Sequence, residues 1–431
     1  MPPRVPHVLR AFRATVAACV LFFGVGCDSN DSGETKPPLD FAETAAACTD
    51  GTAGEYPCRN VDLLARLSPT DLGVTSANAQ VSDLWGWTDP QTSAQYALVG
   101  HPGGTAFVDV SDPRRPVYLG SLPSRGGPGA IQRDVKVYDN HAFVVAEADD
   151  HGMQVFDLTT LRDVDAGDAP QTFSETAHYG RFGAAHNLAI NTETGFAYAV
   201  GLHGEQTPAS CGPGYHGVDV TAPASPQFST CHSSTLGRQG NGYTHDAQCT
   251  TYTGPDEDHR GAPICFGADE TGLSITDFSD KSDVQQLAAT GYPDVGYAHQ
   301  GWLSDDQRYF YLGDELDERQ GLVRSTRTVI FDVTDLDDPQ VAGTYRGPTP
   351  ATDHNLYTCG ETLYEANYRS GLRILDVSDP TAPEEVAFFD VYPQDDAAAF
   401  DGAWTVYPFF EDGPLLVSSI GGGLFVLEAT L

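Results

Sequence analysis

Residues 371–383 read GLRILDVSDPTAP, and the pattern of this stretch recurs along most of the chain. A glycine is followed five positions later by an aspartate, and a turn with Ser or Thr and proline comes next. Self-similarity at a spacing of roughly 45–60 residues is typical of repeat proteins. The copies are Gly104 with Asp109, Gly152 with Asp157, Gly214 with Asp219, Gly272 with Asp277, Asp332 with Arg327 in place of the glycine, Gly371 with Asp376, and Gly423 with Glu428.

Each copy predicts a unit of four short strands. The residues before the aspartate are apolar and rich in Val, Ile and Phe, which is typical of a strand. The aspartate and the Ser or Thr after it can hydrogen-bond the backbone of the turn, which the proline fixes. One further apolar run follows each turn, and two strand-like runs precede each copy. Four-stranded units repeated without long helices indicate an all-β fold, a seven-bladed β-propeller over about residues 80–431.

The last copy is incomplete, because the chain ends after its third strand. Residues 61–68, VDLLARLS, resemble the fourth strands of the other units. We expect this N-terminal segment to pair with residues 424–428 and close the ring. Closure would remove the exposed strand edges that promote aggregation.

The composition agrees with an exported all-β protein. The chain has 45 Gly, 29 Pro and only 2 Met, and its formal net charge is −37. So acidic a surface disfavours binding to nucleic acid or to anionic membranes. We therefore expect no binding to nucleic acid, and contact with a membrane only through a lipid anchor. We also expect a monomer.

The N-terminus indicates targeting. Residues 1–26 are predicted to be a lipoprotein-type signal peptide, because Arg4, Arg10 and Arg13 precede an apolar run too short to span a bilayer after cleavage. Cys27 follows as the predicted lipid-attachment residue; the alternative is an ordinary secretory signal with an incidental cysteine. Residues 27–47 would be an acidic, flexible tether, and residues 48–431 the propeller. We expect a lipid anchor at the bacterial outer membrane or cell surface, and secretion otherwise.

The cysteines predict local disulfides. Removal of Cys19 and acylation of Cys27 leave seven of the nine cysteines for an oxidising compartment. Cys359 is left without a local partner, and because it lies in a first-strand segment, HNLYTC, we expect a buried, inert thiol there. The simplest pairs are Cys48–Cys58, Cys211–Cys231 and Cys249–Cys265.

A second pattern recurs with the blades, since a histidine followed by Asn, Asp or Gln opens the first strand of four units. In a propeller the first strands line the central channel, and the loops between second and third strands open on the same face. Those loops are acidic here, so imidazoles and carboxylates are expected together near the axis. The candidate ligand residues are His186, His245, His299 and His354 with Asp269, Asp314 and Glu315.

Two interpretations of these residues remain open. Imidazoles with carboxylates suit a transition metal such as zinc, whereas clustered carboxylates suit calcium. Alternatively, each histidine only hydrogen-bonds a turn of a neighbouring blade, because a residue that recurs with every repeat usually serves the repeat. In the same way, the acidic loop at 314–318 could simply be solvated.

Longer stretches carry a family resemblance. Four stretches resemble the choice-of-anchor B proteins. They are CTDGTAGEYPCRNVDLLARL (48–67), HQGWLSDDQRYFYLGDELDE (299–318), residues 353–383 and the closing AWTVYPFFEDGPLLVSSIGGGLFVLE (403–428). These are exported bacterial proteins built from LVIVD repeats. The resemblance covers roughly residues 48–431 and implies a secreted or surface-anchored propeller. It implies no reaction, ligand or catalytic residue.

The chain has no nucleophile elbow, no His-Glu-x-x-His and no phosphate-binding glycine loop, so we do not expect an enzyme. Our first hypothesis is a surface or secreted scaffold that binds a protein or a glycan. The second is a metal-dependent enzyme with its site at the four histidines. The third is a structural protein of the cell envelope. Because fold does not determine function, these hypotheses must be separated at the site itself.

Overall fold

The repeats form seven antiparallel sheets whose first strands contact one another in a ring. The computed structural model describes residues 45–75, 79–126, 130–204 and 211–431. The predicted signal peptide, Cys27 and most of the predicted tether lie outside these residues. Within the described ranges, no helix combines the length and the apolar character needed to cross a membrane. The ring of seven sheets makes the protein a seven-bladed β-propeller, as its repeats predict.

The strands up to the second blade have the following bounds. Three N-terminal strands are β1 Thr52–Ala53, β2 Tyr56–Arg59 and β3 Val61–Leu67. Blade 1 contains β4 Leu84–Thr88, β5 Gln95–His101, β6 Gly104–Asp109 and β7 Val117–Pro123. Blade 2 contains β8 Arg133–Tyr138, β9 His141–Ala146 and β10 Met153–Asp157, after which come a 3₁₀ helix, Leu158–Asp163, and the strands β11 Gln171–Thr172 and β12 Ala177–Tyr179.

The remaining blades follow in chain order. Blade 3 contains β13 Asn187–Asn191, β14 Phe196–Val200, β15 Tyr215–Asp219 and β16 Gln227–His232, followed by a 3₁₀ helix, Arg238–Gly240. Blade 4 contains β17 Asp246–Thr251, β18 Pro263–Ala268, β19 Leu273–Asp277 and β20 Gln285–Thr290. Blade 5 contains β21 Ala298–Leu303, β22 Tyr309–Asp314, β23 Arg327–Asp332 and β24 Gln340–Arg346. Blade 6 contains β25 Asn355–Cys359, β26 Thr362–Ala366, β27 Leu372–Asp376 and β28 Glu384–Phe389, and blade 7 contains β29 Ala403–Tyr407, β30 Leu415–Ser419 and β31 Gly423–Ala429.

Two blades carry additional strands. In blade 1, β11 runs parallel to β7 and forms a fifth strand. In blade 6, the β1–β2 hairpin pairs with β28 and extends the sheet to six strands. These additions cover the outer edges of the two sheets, which protects them from pairing with other chains.

The repeated motif builds the turn between the third and fourth strands. In all six copies with an aspartate, its carboxylate accepts a hydrogen bond from the backbone N–H two residues later, at 2.7–3.0 Å. The motif glycine is needed for close approach of the outermost strand. A Cβ added at Gly104 would lie 2.1 Å from the carbonyl oxygen of Leu122, and one at Gly423 would lie 2.0 Å from that of Leu67.

The blades are joined by apolar contacts and by buried hydrogen bonds. Each of the seven interfaces between neighbouring blades contains its own cluster of buried apolar side chains. Polar side chains of the first strands add links near the axis. Asp134 accepts from the Leu188 N–H at 2.6 Å, and Gln300 accepts from the Leu356 N–H at 2.8 Å. These contacts fix neighbouring first strands relative to each other.

The N-terminal strand closes the ring. β3 pairs antiparallel with β31, with Val61 opposite Ala429 and Leu67 opposite Leu424. The predicted closing segment is thus confirmed, although the strand ends one residue earlier than 68. Ala46 also pairs with Leu63, so contacts with the propeller begin before the predicted boundary at residue 48.

Three disulfides form, and they are the predicted pairs. The Cα–Cα distances are 6.0 Å for Cys48–Cys58, 4.7 Å for Cys211–Cys231 and 4.1 Å for Cys249–Cys265. The expectation of a buried Cys359 is wrong, because this free cysteine is exposed. It is the last residue of β25, where the strand runs out into an exposed turn at Gly360. The disulfides are compatible with an exported protein.

We predict that Gly423→Ala destabilises the protein by at least about 2 kcal/mol. Gly423 has a φ of 89°, which is unfavourable for alanine, and the new Cβ would meet the Leu67 carbonyl of the closing strand. Gly421→Ala is the matched control, because nothing lies within 4 Å of a Cβ at that position. Urea unfolding measures both variants. Equal stability of the two would contradict the close approach of β3 to β31.

We predict that the folded, non-reduced chain from Ala45 to Leu431 reacts with iodoacetamide at one cysteine, Cys359. The reaction should be slow, because burial of the sulfur and the charge of Asp305 raise the pKa of this thiol. Intact mass and peptide mapping measure the label, and Cys359→Ser should take up none. A second labelled cysteine, or Cys359 in a disulfide, would overturn the pairing.

Candidate functional site

The repeated histidines meet at one mouth of the channel. His186, His245 and His354 each directly precede a first strand, and His299 is the second residue of β21. All four line one cavity of about 210 Å³. The ring geometry explains this placement, because equivalent residues of successive blades take equivalent positions around the axis.

The four imidazoles form a continuous row. Ring centroids are 4.3 Å apart between His186 and His245, 4.4 Å between His245 and His299, and 4.4 Å between His299 and His354. Trp404 continues the row, 4.8 Å from His354. The rings are therefore close enough for neighbouring histidines to share a ligand.

Hydrogen bonds at Nδ1 fix the orientation of three of these rings. His245 donates from Nδ1 to the carbonyl oxygen of His299 at 2.8 Å, and His354 donates from Nδ1 to that of Trp404. Because a carbonyl oxygen only accepts, Nδ1 carries the proton in both neutral rings and Nε2 keeps its lone pair. His186 contacts Glu147 Oε1 through Nδ1 at 2.7 Å. The Nδ1 atom of His299 is buried and has no hydrogen-bond partner among the described residues.

One carboxylate lies between two of the imidazoles. Glu315 Oε1 is 3.8 Å from His299 Nε2 and 3.9 Å from His354 Nε2. The ligand atoms of these three residues all lie within 4.8 Å of one another. Tyr368 donates from its hydroxyl to Glu315 Oε1 at 2.8 Å and thereby holds the carboxylate in place. Two imidazole nitrogens and one carboxylate oxygen thus converge on a common point.

Two of the predicted acidic residues do not reach this cavity. Asp314 accepts hydrogen bonds from Tyr292, Gly296 and Tyr297 and contacts Arg327, so its carboxylate is committed to the surrounding loops. Asp269 is buried among Ser234, Ser274 and Thr244, away from the imidazole row. Neither residue lines the cavity.

The acidic loop at 314–318 is not solvated. Asp314 and Asp317 are fully buried, and Glu318 is 9% exposed. Arg327, which replaces the motif glycine in this blade, bonds Asp314 at 3.2 Å and Asp317 at 2.6 Å. The solvated interpretation of this charge run is therefore wrong, and its burial depends on the blade's departure from the repeat.

The cavity also contains residues that are absent from the predicted set. Glu147, Tyr243, Tyr297 and Trp404 line it together with Gln132. A sequence signal exists for two of them, because Tyr243 and Tyr297 each stand two residues before a channel histidine. Glu147 belongs to an acidic loop between second and third strands, and Trp404 occupies the histidine position of blade 7.

The environment separates the protonation states of the histidines. Burial lowers the pKa of His354 to about 3. Burial, with the charges of adjacent imidazoles, also holds the pKa of His245 and of His299 well below the ordinary value. At His186 burial acts in the same direction, but the hydrogen bond and charge of Glu147 outweigh it and raise the pKa. Near neutral pH the rings of His354, His245 and His299 are neutral and can act as lone-pair donors.

One part of the chain matches a known repeat family. A family model described as LVIVD repeat matches residues 359–391. No curated protein gives a significant match. The chain is therefore a β-propeller with an LVIVD repeat, an architecture that generally serves as a binding scaffold.

Similar solved structures share little sequence with this chain. The computationally designed Ika8 protein is 11% identical, with a TM-score of 0.46 over 81% of this chain and 83% of that chain. U3-55K is 9% identical, with a TM-score of 0.49 over 82% and 97%. The RRP9 WD40 repeats are 10% identical, with a TM-score of 0.48 over 82% and 96%.

We predict that the four histidines titrate separately in the metal-free protein. His186 should titrate above its ordinary pKa of about 6.5, whereas His245, His299 and His354 should stay neutral as the pH falls through 6. Two-dimensional NMR of the imidazole resonances measures this. Glu147→Gln should lower the His186 midpoint, because it removes the charged partner. Four overlapping titrations near pH 6.5 would contradict the described environments.

Proposed function

We propose that this chain is an exported metal-binding propeller that holds one divalent transition-metal ion at the channel mouth. The observation that carries the proposal is the convergence of His299 Nε2, His354 Nε2 and Glu315 Oε1 within 4.8 Å. Imidazole ligands suit zinc, iron, copper or nickel, whereas calcium takes six to eight oxygen ligands. The donor set therefore favours a metal of the zinc class over calcium.

The groups behind these ligands support the same assignment. Metal-binding histidines usually donate their second ring N–H to a carbonyl or carboxylate, which fixes the tautomer and orients the lone pair. His354 does so towards the carbonyl oxygen of Trp404. Tyr368 plays the corresponding part for Glu315. The side chains of His354 and Glu315 are thus already oriented in the folded protein before a metal binds.

The site would keep an open coordination position. Three protein ligands are typical of catalytic metal sites, in which a water or substrate completes the shell. His245 stands next in the row, with its ring 4.4 Å from that of His299, but it is not among the three residues whose ligand atoms lie within 4.8 Å of one another. The cavity of about 210 Å³ above the ligands leaves room for a small exogenous ligand.

We propose that the site belongs to an exported protein of the choice-of-anchor B type. The arginine-flanked apolar N-terminus, Cys27 and the disulfides support export and lipid anchoring. In that setting the propeller would present its loops to a surface protein or a glycan, with the metal centre on one of its faces. A metal-dependent reaction needs the same centre and, in addition, a substrate at the open position.

We predict that the metal-stripped protein binds one equivalent of Zn²⁺ or Co²⁺. His299→Gln and Glu315→Gln should each weaken binding at least about 100-fold, because each removes a ligand while keeping the side-chain volume. Tyr368→Phe removes only the supporting hydroxyl and should cost about tenfold. Isothermal titration calorimetry measures the affinity, and Co²⁺ absorption reports the coordination geometry.

His259→Gln is the matched control for this experiment. His259 lies in a separate group with Asp256 and Asp337, also within 4.8 Å, at the surface. Binding should be unchanged in this variant. Wild-type protein without metal affinity, or binding that fails in the His259 variant and survives in the His299 variant, would refute the channel-mouth centre.

A further inference from the structure

The opposite mouth of the channel contains a second cavity of about 270 Å³. It lies at the far ends of the first strands and shares no lining residue with the imidazole cavity. Side chains from blades 1 to 5 line it, together with Phe409 of blade 7. This cavity is therefore a candidate site that goes beyond the proposed metal centre.

The repeat explains how the cavity is built. Each first strand places a side chain towards this mouth three residues after the channel-histidine position. Trp302 follows His299 in this way, and Gln248 follows His245. Ala189 holds the same position in blade 3, and its small side chain leaves the space that larger residues fill in the other blades.

Two tryptophans form an apolar wall. Trp85 and Trp302 are half-buried, and their rings lie 5.8 Å and 6.1 Å from that of Phe409. Tyr357 packs edge-on against both indoles and fixes them. Neither indole N–H donates a hydrogen bond to a residue in the described ranges. The wall therefore offers flat aromatic surface with two unused donors.

The charge in the cavity is already neutralised. Lys136 bonds the carboxylate of Asp134 and lies 3.6 Å from Asp83 Oδ2, while its ammonium sits 4.7 Å from the ring centre of Trp85. An anionic ligand would have to compete with these carboxylates. The remaining polar groups are neutral: the amide of Gln248, whose oxygen accepts from the Leu303 N–H at 2.7 Å, and the hydroxyls of Thr192 and Thr250.

We propose that this cavity binds a neutral pyranose sugar, either free or at the end of a glycan. A pyranose ring has an apolar C–H face that stacks on an indole, and hydroxyl groups around its rim that need hydrogen-bond partners. The indole of Trp302 offers the stacking surface, because the ammonium of Lys136 lies over the ring of Trp85. The indole N–H groups, the amide and the threonine hydroxyls offer the hydrogen-bond partners. The volume is close to the lower limit of roughly 300 Å³ for small-molecule sites, which suits a single ring.

The test uses the full protein with EDTA present, so that the channel-mouth metal does not contribute. The probes are the methyl glycosides of glucose, galactose, mannose and N-acetylglucosamine, with methyl glucuronide as the anionic comparison. Saturation-transfer NMR and calorimetry should detect at least one neutral glycoside and a weaker response to the glucuronide. Trp302→Phe should weaken binding about three- to tenfold, the range expected from an aromatic contact.

Two substitutions in an exposed turn test the proposal even if Trp302→Phe misfolds. Thr192→Trp places a large ring at the rim of the cavity and should abolish sugar binding, whereas Glu193→Trp, next to it on the same exposed turn and outside the lining, should not. The proposal is overturned if no neutral glycoside binds, if only the glucuronide binds, or if Thr192→Trp leaves binding intact.

Discussion

The pairing of β3 with β31 is the constraint on which the rest of the structure depends. Blade 7 has only three strands of its own, and the fourth comes from residues 61–67 at the other end of the sequence. The ring holds the innermost strands at fixed angles around the channel. Both cavities are assembled from residues of at least four blades, so neither exists without closure.

The channel histidines serve the fold and the site at once. Through Nδ1, His245 and His354 bond the backbone of the neighbouring first strand, as a residue that recurs with a repeat is expected to do. The same bond leaves Nε2 unprotonated and aimed into a shared cavity. The structural and metal-binding interpretations of the histidines are therefore compatible, because each uses a different ring nitrogen. His299 and His354 differ from the other two histidines because their Nε2 atoms lie 3.8 Å and 3.9 Å from one shared carboxylate oxygen, that of Glu315. His186 meets its carboxylate, Glu147, through Nδ1 instead.

The sequence predicted the architecture well because the repeat encodes it. The Gly-x4-Asp motif predicted the blade count, and the missing strand after Glu428 predicted the closure by residues near 61–67. The disulfide pairs followed from short sequence separations. The row of histidines followed from the register of the first strands, which ring geometry carries to equivalent positions.

The sequence could not decide which acidic side chain of a loop faces the axis. Asp314 and Glu315 are adjacent, yet backbone N–H groups of residues 296 and 297 capture Asp314, and Glu315 alone points to the histidines. This outcome depends on the path of a neighbouring loop, which leaves no periodic pattern. The exposure of Cys359 has no sequence signal for a similar reason, because β25 ends at this residue and an exposed turn begins at Gly360.

The most direct test of the account is the position of a bound metal in a crystal of the protein grown with Zn²⁺. Anomalous scattering at the zinc edge locates the ion independently of the refined side chains. The account predicts one strong peak about 2.0–2.1 Å from His299 Nε2 and His354 Nε2, with a Glu315 oxygen as a third ligand. A channel mouth without an anomalous peak, or a dominant peak between Asp256, His259 and Asp337, would contradict it.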